Sequence, residues 1–338
     1  MNFKSLIKKI YLNQKFISLF NYVGKPFKGR AVILCYHRVV SELDYTKTTG
    51  PLKNIMVTNE SFDYQMDYIN KNFEVISMDE MTDHLLSESQ DFKVAVTFDD
   101  GYKDNLVNAL PILRNYRIPA TIYLTTRFLE GDQNMWWYFL WKTINKMKTL
   151  KFEYRSKIYK YNCRNSKEKS KVFFKISEIF KDVNINEHKV LFGALGNVYR
   201  KSGYGKLCLK WNDVKKLNNS NLITIGSHTH NHLRLSSFKK DILISEFKES
   251  IDLIQKNLNC KVKHFAFPFG AKEDINKAVI DVARDLGVVT AVSTRVYPIR
   301  KNFEILNLPR LHMRDESYLN LGPKMNGFDN LLYSIKNK

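Results

Sequence analysis

Short runs of apolar residues recur along most of the chain, and stretches with helical periodicity separate them. Near-continuous apolar runs of this kind are typical of strands that are buried on both faces, as in parallel sheets. The predicted strands lie at residues 31–35, 74–77, 94–98, 120–124, 222–225, 264–267, 288–292 and 305–308. The predicted helices lie at residues 61–70, 78–86, 105–116, 211–217, 238–258 and 275–286. This alternation predicts a parallel α/β fold.

The alternation stops between about residues 128 and 210. This segment contains the aromatic run from Met135 to Tyr138, and it continues into a lysine-rich stretch with helical patterning at residues 167–180. A structureless loop of this length would be improbable inside a compact domain. We therefore expect a mainly helical insertion between two consecutive strands of a single α/β barrel.

The composition limits the class of protein and its partners. Hydrophobic residues make up 44% of the chain, which is enough for a sizeable core and excludes general disorder. The 54 Lys and Arg residues outnumber the 34 Asp and Glu residues, and the formal charge of +20 favours anionic partners such as phospholipid headgroups or acidic glycans. No nucleic-acid-binding motif accompanies this charge, so we do not expect a nucleic acid partner. The four cysteines form no C-x-x-C pair, which suits a reducing cytoplasm.

The first 30 residues form a separate basic segment with seven Lys or Arg residues and no acidic residue. Lysines interrupt its apolar residues, so it has the pattern of neither a secretory signal nor a membrane span. The apolar residues instead recur at roughly helical spacing. Two interpretations remain open: an amphipathic helix that lies on an anionic membrane, or a helix that packs against the rest of the protein. We expect a cytoplasmic protein, with peripheral contact at the inner face of the membrane under the first interpretation.

These patterns divide the chain into three parts. The basic amphipathic segment covers residues 1–30, and the barrel domain covers residues 31–320, with its insertion at about 128–210. Residues 321–338 are interpreted as a C-terminal tail.

Two adjacent carboxylates, Asp99 and Asp100, follow directly after the predicted strand at residues 94–98. Two carboxylates at the end of a buried strand are costly to desolvate together unless a cation or a proton separates their roles. Gly101 would let the backbone turn sharply, so that both side chains can reach one site. The alternative is a solvated turn, for which Asp-Asp-Gly is ordinary composition.

Three histidines, His228, His230 and His232, follow the predicted strand at residues 222–225. Neutral imidazole is a common ligand for zinc and related ions, and closely spaced histidines rarely serve packing. Taken alone, the pattern also fits surface histidines. Together with a carboxylate from another strand end, two of these histidines supply a ligand set that leaves positions open for water and substrate.

Two further strand ends carry rigid or polar residues. Pro268, Phe269 and Gly270 follow one predicted strand, and Arg310 and His312 follow another. In barrel folds the loops at the carboxyl ends of the strands converge on the active site. A structural, hydrogen-bonded role for His312 is the alternative.

These segments, in this order, resemble the motifs of the polysaccharide deacetylase family, also called the NodB-homology or carbohydrate esterase 4 family. The resemblance covers about residues 31–313 apart from the insertion, and it implies a distorted (β/α) barrel of about seven parallel strands. Residues 32–39 (VILCYHRV) further resemble the opening strand of the branch that includes poly-N-acetylglucosamine deacetylases. The matching motifs are residues 97–102 (TFDDGY), 227–233 (SHTHNHL), 268–270 (PFG) and 311–312 (LH).

The resemblance also implies a division of roles. Asp99 would be the general base, and His312 would be the general acid that protonates the leaving amine. The backbone N–H of Phe269 would stabilise the tetrahedral oxyanion. A divalent metal, most simply zinc but also cobalt, nickel or iron, would polarise the acetamide carbonyl. The implied metal ligands are Asp100, His228 and His232.

The chain departs from the family pattern at two points. Ala266 stands where the family has an arginine, two residues before the proline, that orients the catalytic Asp. Arg310 or Arg295 could replace this arginine from another strand. No segment of the chain matches the family's Asp-x-x-x-Trp element.

The leading interpretation is metal-dependent hydrolytic removal of the acetyl group from an N-acetylated sugar, in a surface polysaccharide or its lipid-linked precursor. One alternative is a catalytically silent barrel that binds glycan, and another is an amide hydrolase that acts on a non-sugar substrate. Asp99 favours the enzyme over the binding module, because a protein that only binds glycan has no use for a general base beside a metal ligand.

Overall fold

The structure is a computed structural model that describes residues 29–131, 135–196, 204–300, 303–315 and 318–327. The predictions for residues 1–28, including the amphipathic helix, lie outside the described residues.

Strands and helices alternate along most of the described chain. The strands are β1 (Ala31–Tyr36), β2 (Arg38–Val40), β3 (Met56–Thr58), β4 (Glu74–Val75), β5 (Lys93–Phe98), β6 (Ala120–Leu124), β7 (Thr149–Tyr154), β8 (Lys157–Asn162), β9 (Ile223–Ser227), β10 (His264–Ala266), β11 (Thr290–Val292) and β12 (Leu311–His312). The α-helices are α1 (Glu42–Lys47), α2 (Asn59–Asn72), α3 (Met78–Leu86), α4 (Leu110–Tyr116), α5 (Thr126–Leu129), α6 (Trp136–Lys146), α7 (Ser166–Lys181), α8 (Ile185–Ala194), α9 (Trp211–Asn218), α10 (Lys240–Leu258), α11 (Lys277–Asp285) and α12 (Tyr318–Met325).

The main sheet has seven strands in the order β11-β10-β9-β6-β5-β1-β12, and β4 pairs with the start of β5. All pairs within this sheet are parallel. The sheet curls into an open barrel surrounded by helices. The predicted distorted (β/α) barrel of about seven parallel strands is therefore confirmed.

Both faces of the sheet are buried, as the apolar runs predict. Val94, Val96 and Phe98 of β5 pack in the layer between the sheet and the outer helices. Ile33 and Ala95 point to the other side and pack in a smaller cluster inside the barrel. The interior of the barrel is therefore a packed core below the site.

Side-chain caps fix where several helices begin. Ser77 and Glu80 form a capping box at the start of α3. The Ser77 hydroxyl accepts a hydrogen bond from the backbone N–H of Glu80, and the Glu80 carboxylate accepts one from the backbone N–H of Ser77. Asn165 caps α7 by accepting a hydrogen bond from the backbone N–H of Glu168, at 3.0 Å. These local signals place the helix that forms one wall of the site.

The predicted strand at residues 305–308 is wrong. This run forms a 3-10 turn at Ile305–Asn307, and the last strand of the sheet is β12, a few residues later. The Glu304 side chain accepts a hydrogen bond from the backbone N–H of Leu306, which stabilises the turn. Pro309 then lacks the N–H that a strand ladder needs.

The insertion predicted at about residues 128–210 is mainly helical, as predicted, and its described residues include α6, α7, α8 and the hairpin β7–β8. Its aromatic residues form a core of their own, in which the rings of Trp136 and Phe180 stack at 5.0 Å. The hairpin was not predicted, although exposed and buried residues alternate along Thr149–Tyr154. The surrounding lysines concealed this two-residue period.

Candidate functional site

The carboxyl ends of the parallel strands bring the candidate residues to one edge of the sheet. Asp99 and Asp100 follow β5, His228 follows β9, and His37 follows β1. These positions place the site at the barrel edge, where the loops after the strands meet.

Within the described part of the chain, no helix is long and apolar enough to cross a membrane.

Asp100, His228 and His232 are brought together in a buried group. One ligand atom of each lies within 4.8 Å of the others. Nε2 of His228 lies 3.4 Å, and Nε2 of His232 3.2 Å, from Oδ1 of Asp100. Among the described residues, this oxygen is buried without a hydrogen-bond partner. A buried carboxylate oxygen that faces two imidazole nitrogens fits a divalent cation, because a cation would satisfy all three atoms at once.

The ring of His228 is oriented from the neighbouring strand. Its Nδ1 lies 2.7 Å from the carbonyl oxygen of Ala266. A carbonyl can only accept, so Nδ1 carries the proton, and a neutral ring then has its lone pair on Nε2, which faces Asp100. Ala266 lacks the family's arginine side chain, but its backbone orients a candidate ligand.

His232 is held by its own loop and by aromatic packing. Its backbone N–H donates to Oγ1 of Thr229 at 2.9 Å. Its ring lies 4.8 Å from the ring of Phe269 and 5.2 Å from the ring of Trp137. These contacts restrict the direction in which the imidazole can point.

The middle histidine of the motif, His230, points away from this group. Its Nδ1 lies 2.9 Å from the hydroxyl of Thr126 and its Nε2 lies 3.2 Å from Oε1 of Glu249. His230 therefore connects the loop to α5 and α10.

Four residues at this edge adopt left-handed backbone conformations although none is glycine. The φ angles are 74° for Asp100, 65° for Thr229, 57° for His232 and 62° for Phe269. Such conformations are uncommon, and for a β-branched residue such as Thr they are outliers. They persist only where the surrounding structure enforces them, and they cluster at functional sites.

Asp99 lies beside the ligand group and is held by a buried arginine. Nη1 and Nη2 of Arg310 donate hydrogen bonds to the two carboxylate oxygens of Asp99, at 2.7 and 2.6 Å. Nε of Arg310 donates to the carbonyl of Ser293 at 2.9 Å. Of the two arginines considered from sequence, Arg310 therefore contacts Asp99, whereas the guanidinium of Arg295 lies over the ring of Tyr297 at 4.8 Å.

Local charges keep both carboxyls ionised in spite of their burial. Burial raises the pKa of Asp99, but the Arg310 guanidinium outweighs it and brings the pKa down to about 2. Burial also raises the pKa of Asp100, but His228 and His232 lower it well below its usual value. Asp99 and Asp100 together carry two negative charges, and Arg310 carries one positive charge. This excess of negative charge favours a bound cation.

His312 and His37 lie next to each other, with ring centroids 5.5 Å apart. Nε2 of His312 lies 2.8 Å from the carbonyl oxygen of Asn54. Burial lowers the pKa of His312 to about 3, and burial also lowers the pKa of His37. A second convergent group is formed by these two histidines and Cys35, but Cys35 already donates to Asp99 and His312 already contacts Asn54.

A cavity of about 240 Å³ opens over Asp99 and Asp100. His228, His232 and His37 also line it, whereas His312 does not. The opposite walls are mostly apolar, with Asn54, Ser177 and Lys181 as their polar members, and come from the 3-10 turn Gly50–Ile55, α6 and α7. An apolar cavity with a few convergent polar groups is the usual form of a small-molecule site.

Sequence reasoning missed His37 and the aromatic wall of the cavity. His37 directly follows an apolar strand, which is the signal that identified Asp99 and His228. Trp136 and Trp137 line the cavity, but in the sequence their aromatic run indicates only a part of the insertion. Phe269 also lines the cavity, and the Thr294 hydroxyl holds its loop by donating a hydrogen bond to the Phe269 carbonyl at 2.6 Å.

Comparisons with known proteins agree with this geometry. A family model described as polysaccharide deacetylase matches residues 87–291. The deacetylase PplD of Streptococcus pyogenes, solved with acetate, aligns over 90% of this chain and 97% of its own, with 18% identity and a TM-score of 0.55. IcaB of Ammonifex degensii aligns over 88% and 97%, with 15% identity and a TM-score of 0.55. The BpsB deacetylase domain of Bordetella bronchiseptica aligns over 84% and 96%, with 15% identity and a TM-score of 0.51.

At these identities the structural likeness shows the fold alone. A search of curated protein sequences found no match. The family model, however, spans more than half of the chain and includes the loops that carry both carboxylates and the two candidate histidine ligands. The chain belongs to the polysaccharide deacetylase family.

Proposed function

We propose that this chain is a metal-dependent hydrolase that removes the acetyl group from an N-acetylated sugar, in a surface polysaccharide or in its lipid-linked precursor. Membership of the family supports the deacetylation of a glycan. The observation that carries the metal dependence is the buried convergence of Asp100, His228 and His232. Zinc suits such a site, and cobalt, nickel and iron accept the same ligands.

The remaining residues supply proton transfer and orientation. A divalent cation held by the three ligands would polarise the acetamide carbonyl and lower the pKa of a water molecule at the site. Asp99 accepts the proton of the attacking water, and Arg310 fixes the orientation of this carboxylate through both of its oxygens. Phe269 lines the cavity, and its backbone N–H is assigned to the oxyanion.

The proton for the leaving amine is assigned to the His37–His312 pair. Because burial lowers the pKa of both histidines, the pair is neutral at rest and relays to the amine the proton that Asp99 takes from the attacking water. His37 faces the cavity, and His312 lies behind it with its ring against His37. His37→Ala and His312→Ala should both lower kcat, with the larger loss at His37, because only His37 borders the substrate space. Normal turnover in both variants would remove the pair from the mechanism.

Two features support an enzyme acting on a sugar over the alternatives. The general-base position is intact and supported by a fully buried arginine, which a silent glycan-binding barrel would not need. Trp136 and Trp137 supply aromatic surfaces beside the polar group, and aromatic faces pack well against the C–H faces of sugar rings.

Acetate release from N-acetylated glycans, lipid-linked N-acetyl sugars and simple non-sugar acetamides tests the proposal. Activity on the glycans that is lost with chelator and restored by zinc is expected. Release from the non-sugar acetamides alone would favour the amide hydrolase, and no release from any substrate would favour the binding barrel.

The ligand assignment has its own test, which does not depend on knowing the substrate. His228→Ala and His232→Ala should each lose stoichiometric metal by elemental analysis while the barrel stays folded, since ligands at strand ends are not its core. Full metal retention in both variants would refute the assignment.

A further inference from the structure

The insertion carries a large share of the positive charge of the protein. Residues 142–175 contain twelve Lys or Arg residues and two acidic residues, a net charge of +10 out of the formal +20 for the whole chain. Most of these basic side chains are exposed. A charge density of this kind attracts anionic surfaces over a distance of about one Debye length, roughly 8 to 10 Å at physiological salt.

Part of this charge is arranged along one face of α7. Lys167, Lys171, Phe174 and Lys175 are exposed, and their spacing places them on one side of the helix. The opposite face, with Phe173 among its residues, is buried in the core of the insertion. We name the exposed group Lys167, Lys171, Phe174 and Lys175 the rim surface.

The acidic residues further along the same face do not cancel this charge. Glu178 contacts both Lys181, at 2.9 Å, and Arg234, at 2.5 Å. Asp182 contacts Arg234 at 2.9 Å. Both carboxylates are therefore already paired with Lys181 or Arg234 and do not neutralise the three exposed lysines of the rim surface.

The rim surface reaches the mouth of the candidate active site. Phe174 has 53% of its surface exposed, and it also lines the cavity over Asp99 and Asp100. An aromatic side chain that is half exposed among lysines is the combination that interfacial membrane contacts use, because the ring enters the headgroup region while the lysines pair with phosphates.

We propose that the rim surface docks on a membrane that contains anionic phospholipid, and thereby sets the cavity mouth against the lipid surface. An anionic membrane fits better than a free polyanion, which would not use the exposed apolar ring of Phe174. It also fits better than a nucleic acid, because the sequence carries no nucleic-acid-binding motif beside its positive charge. Only the benefit of docking rests on the proposed function, because a cavity that faces the membrane would suit a lipid-linked sugar. The docking itself can be measured without substrate.

Vesicle co-sedimentation of the full-length protein tests the docking. The vesicles contain phosphatidylcholine with or without phosphatidylglycerol, and the variants are Lys167→Gln/Lys171→Gln/Lys175→Gln and Phe174→Ser. A lysine near an anionic surface contributes about a fivefold gain in binding, so the triple variant should bind phosphatidylglycerol vesicles about 100-fold more weakly. Phe174→Ser should weaken the binding that remains at high salt.

A matched control removes the same charge from another exposed helix face, with Lys240→Gln/Lys248→Gln/Lys256→Gln on α10. Binding of this control should stay within about twofold of the unaltered protein. An equal loss of binding in the control would overturn the proposal. No loss of binding in the rim triple variant would also overturn it, and would show that another segment binds the membrane. Normal vesicle binding by Phe174→Ser at all salt concentrations, with displacement by heparin, would identify a polyanion site instead.

Activity on a short soluble N-acetylated saccharide separates this proposal from the proposed function. The rim triple variant should keep that activity, because its lysines do not line the cavity. Docking without any deacetylation in the unaltered protein would refute the proposed function alone, and deacetylation without docking would refute the rim surface alone.

Discussion

Arg310 donates hydrogen bonds to both carboxylate oxygens of Asp99, at 2.7 and 2.6 Å, although the two residues are 211 positions apart in the chain. Both side chains are almost completely buried. The planar guanidinium matches the carboxylate in a way that a lysine could not reproduce. Arg310, in the segment before β12, thus makes the contact with Asp99 that the side chain of Ala266 cannot make.

Replacing Arg310 by Met should lower the free energy of unfolding by about 3–5 kcal/mol, since it leaves a buried carboxylate without its partner. Denaturant unfolding measures the change. The same substitution in an Asp99→Asn background should cost much less, because the uncompensated charge is then absent. Strictly additive losses would mean that the two side chains are not energetically coupled.

Asp99→Asn should lower turnover by about 10² to 10⁴, the scale of general-base catalysis, while metal content stays unchanged. The amide keeps the size of the carboxylate but cannot accept a proton from water. Acetate release and elemental analysis on the same preparation measure both quantities. Normal turnover would show that Asp99 is structural and would return the glycan-binding barrel to consideration.

Arg234 joins the insertion to the barrel, since it contacts Glu178 and Asp182 of the insertion and lies 2.7 Å from Asp274 of the barrel. Arg234→Gln should reduce stability by about 1–3 kcal/mol and should raise KM more than it lowers kcat, because α7 forms a wall of the cavity. Limited proteolysis of the insertion should become faster. Arg284→Gln, which removes an exposed arginine from its ion pairs, is the matched control and should change none of these quantities.

His188 predicts how stability depends on pH. Burial lowers its pKa to about 4, whereas an unfolded histidine has a pKa of about 6.5. As the pH falls, the unfolded state therefore binds a proton before the folded state does. The contribution of neutral His188 to the free energy of unfolding is fully present above pH ~6.5. It declines towards pH ~4, by at most about 1.4 kcal/mol per pH unit. Unfolding of His188→Gln across this range should show a shallower decline, the remainder coming from the other buried histidines. An unchanged slope would exclude His188 as a contributor.

The N-terminal segment can be tested by deleting residues 1–24. If it lies on an anionic membrane, the full-length protein should bind anionic vesicles in a salt-sensitive manner and the truncated protein should bind more weakly with an unchanged melting temperature. If truncation lowers the melting temperature substantially and leaves vesicle binding unchanged, the segment belongs to the fold.

Sequence reasoning reached the residues that directly follow apolar strands. Asp99, Asp100, His228 and His232 could be predicted because the end of each strand marks the edge of the sheet, and a parallel barrel brings such edges together. The partner of Asp99 could not be chosen between Arg310 and Arg295, since both lie in loops beside short strands. The direction of each side chain depends on the path of the loop backbone, which the apolar pattern does not reveal.

The walls of the cavity were beyond reach for a different reason. Trp136, Phe173 and Phe174 belong to an insertion, and its position over the barrel is set by tertiary contacts such as those of Arg234. Periodicity identifies the buried face of α7 but does not identify what that face packs against. His37 directly follows the apolar run of β1, which is the pattern that identifies the other site residues. No second polar residue of the site stands beside it, so the pattern is weaker there.

The left-handed backbone at Asp100, Thr229, His232 and Phe269 has a consequence for how this protein can change. Each such residue costs about 1–2 kcal/mol relative to a relaxed conformation, so the catalytic edge stores strain that the barrel beneath it must hold. Glycine at Asp100 or His232 would relieve part of that strain and remove a candidate metal ligand at the same time. Under the proposed function, selection for thermal resistance and selection for turnover therefore pull these positions in opposite directions.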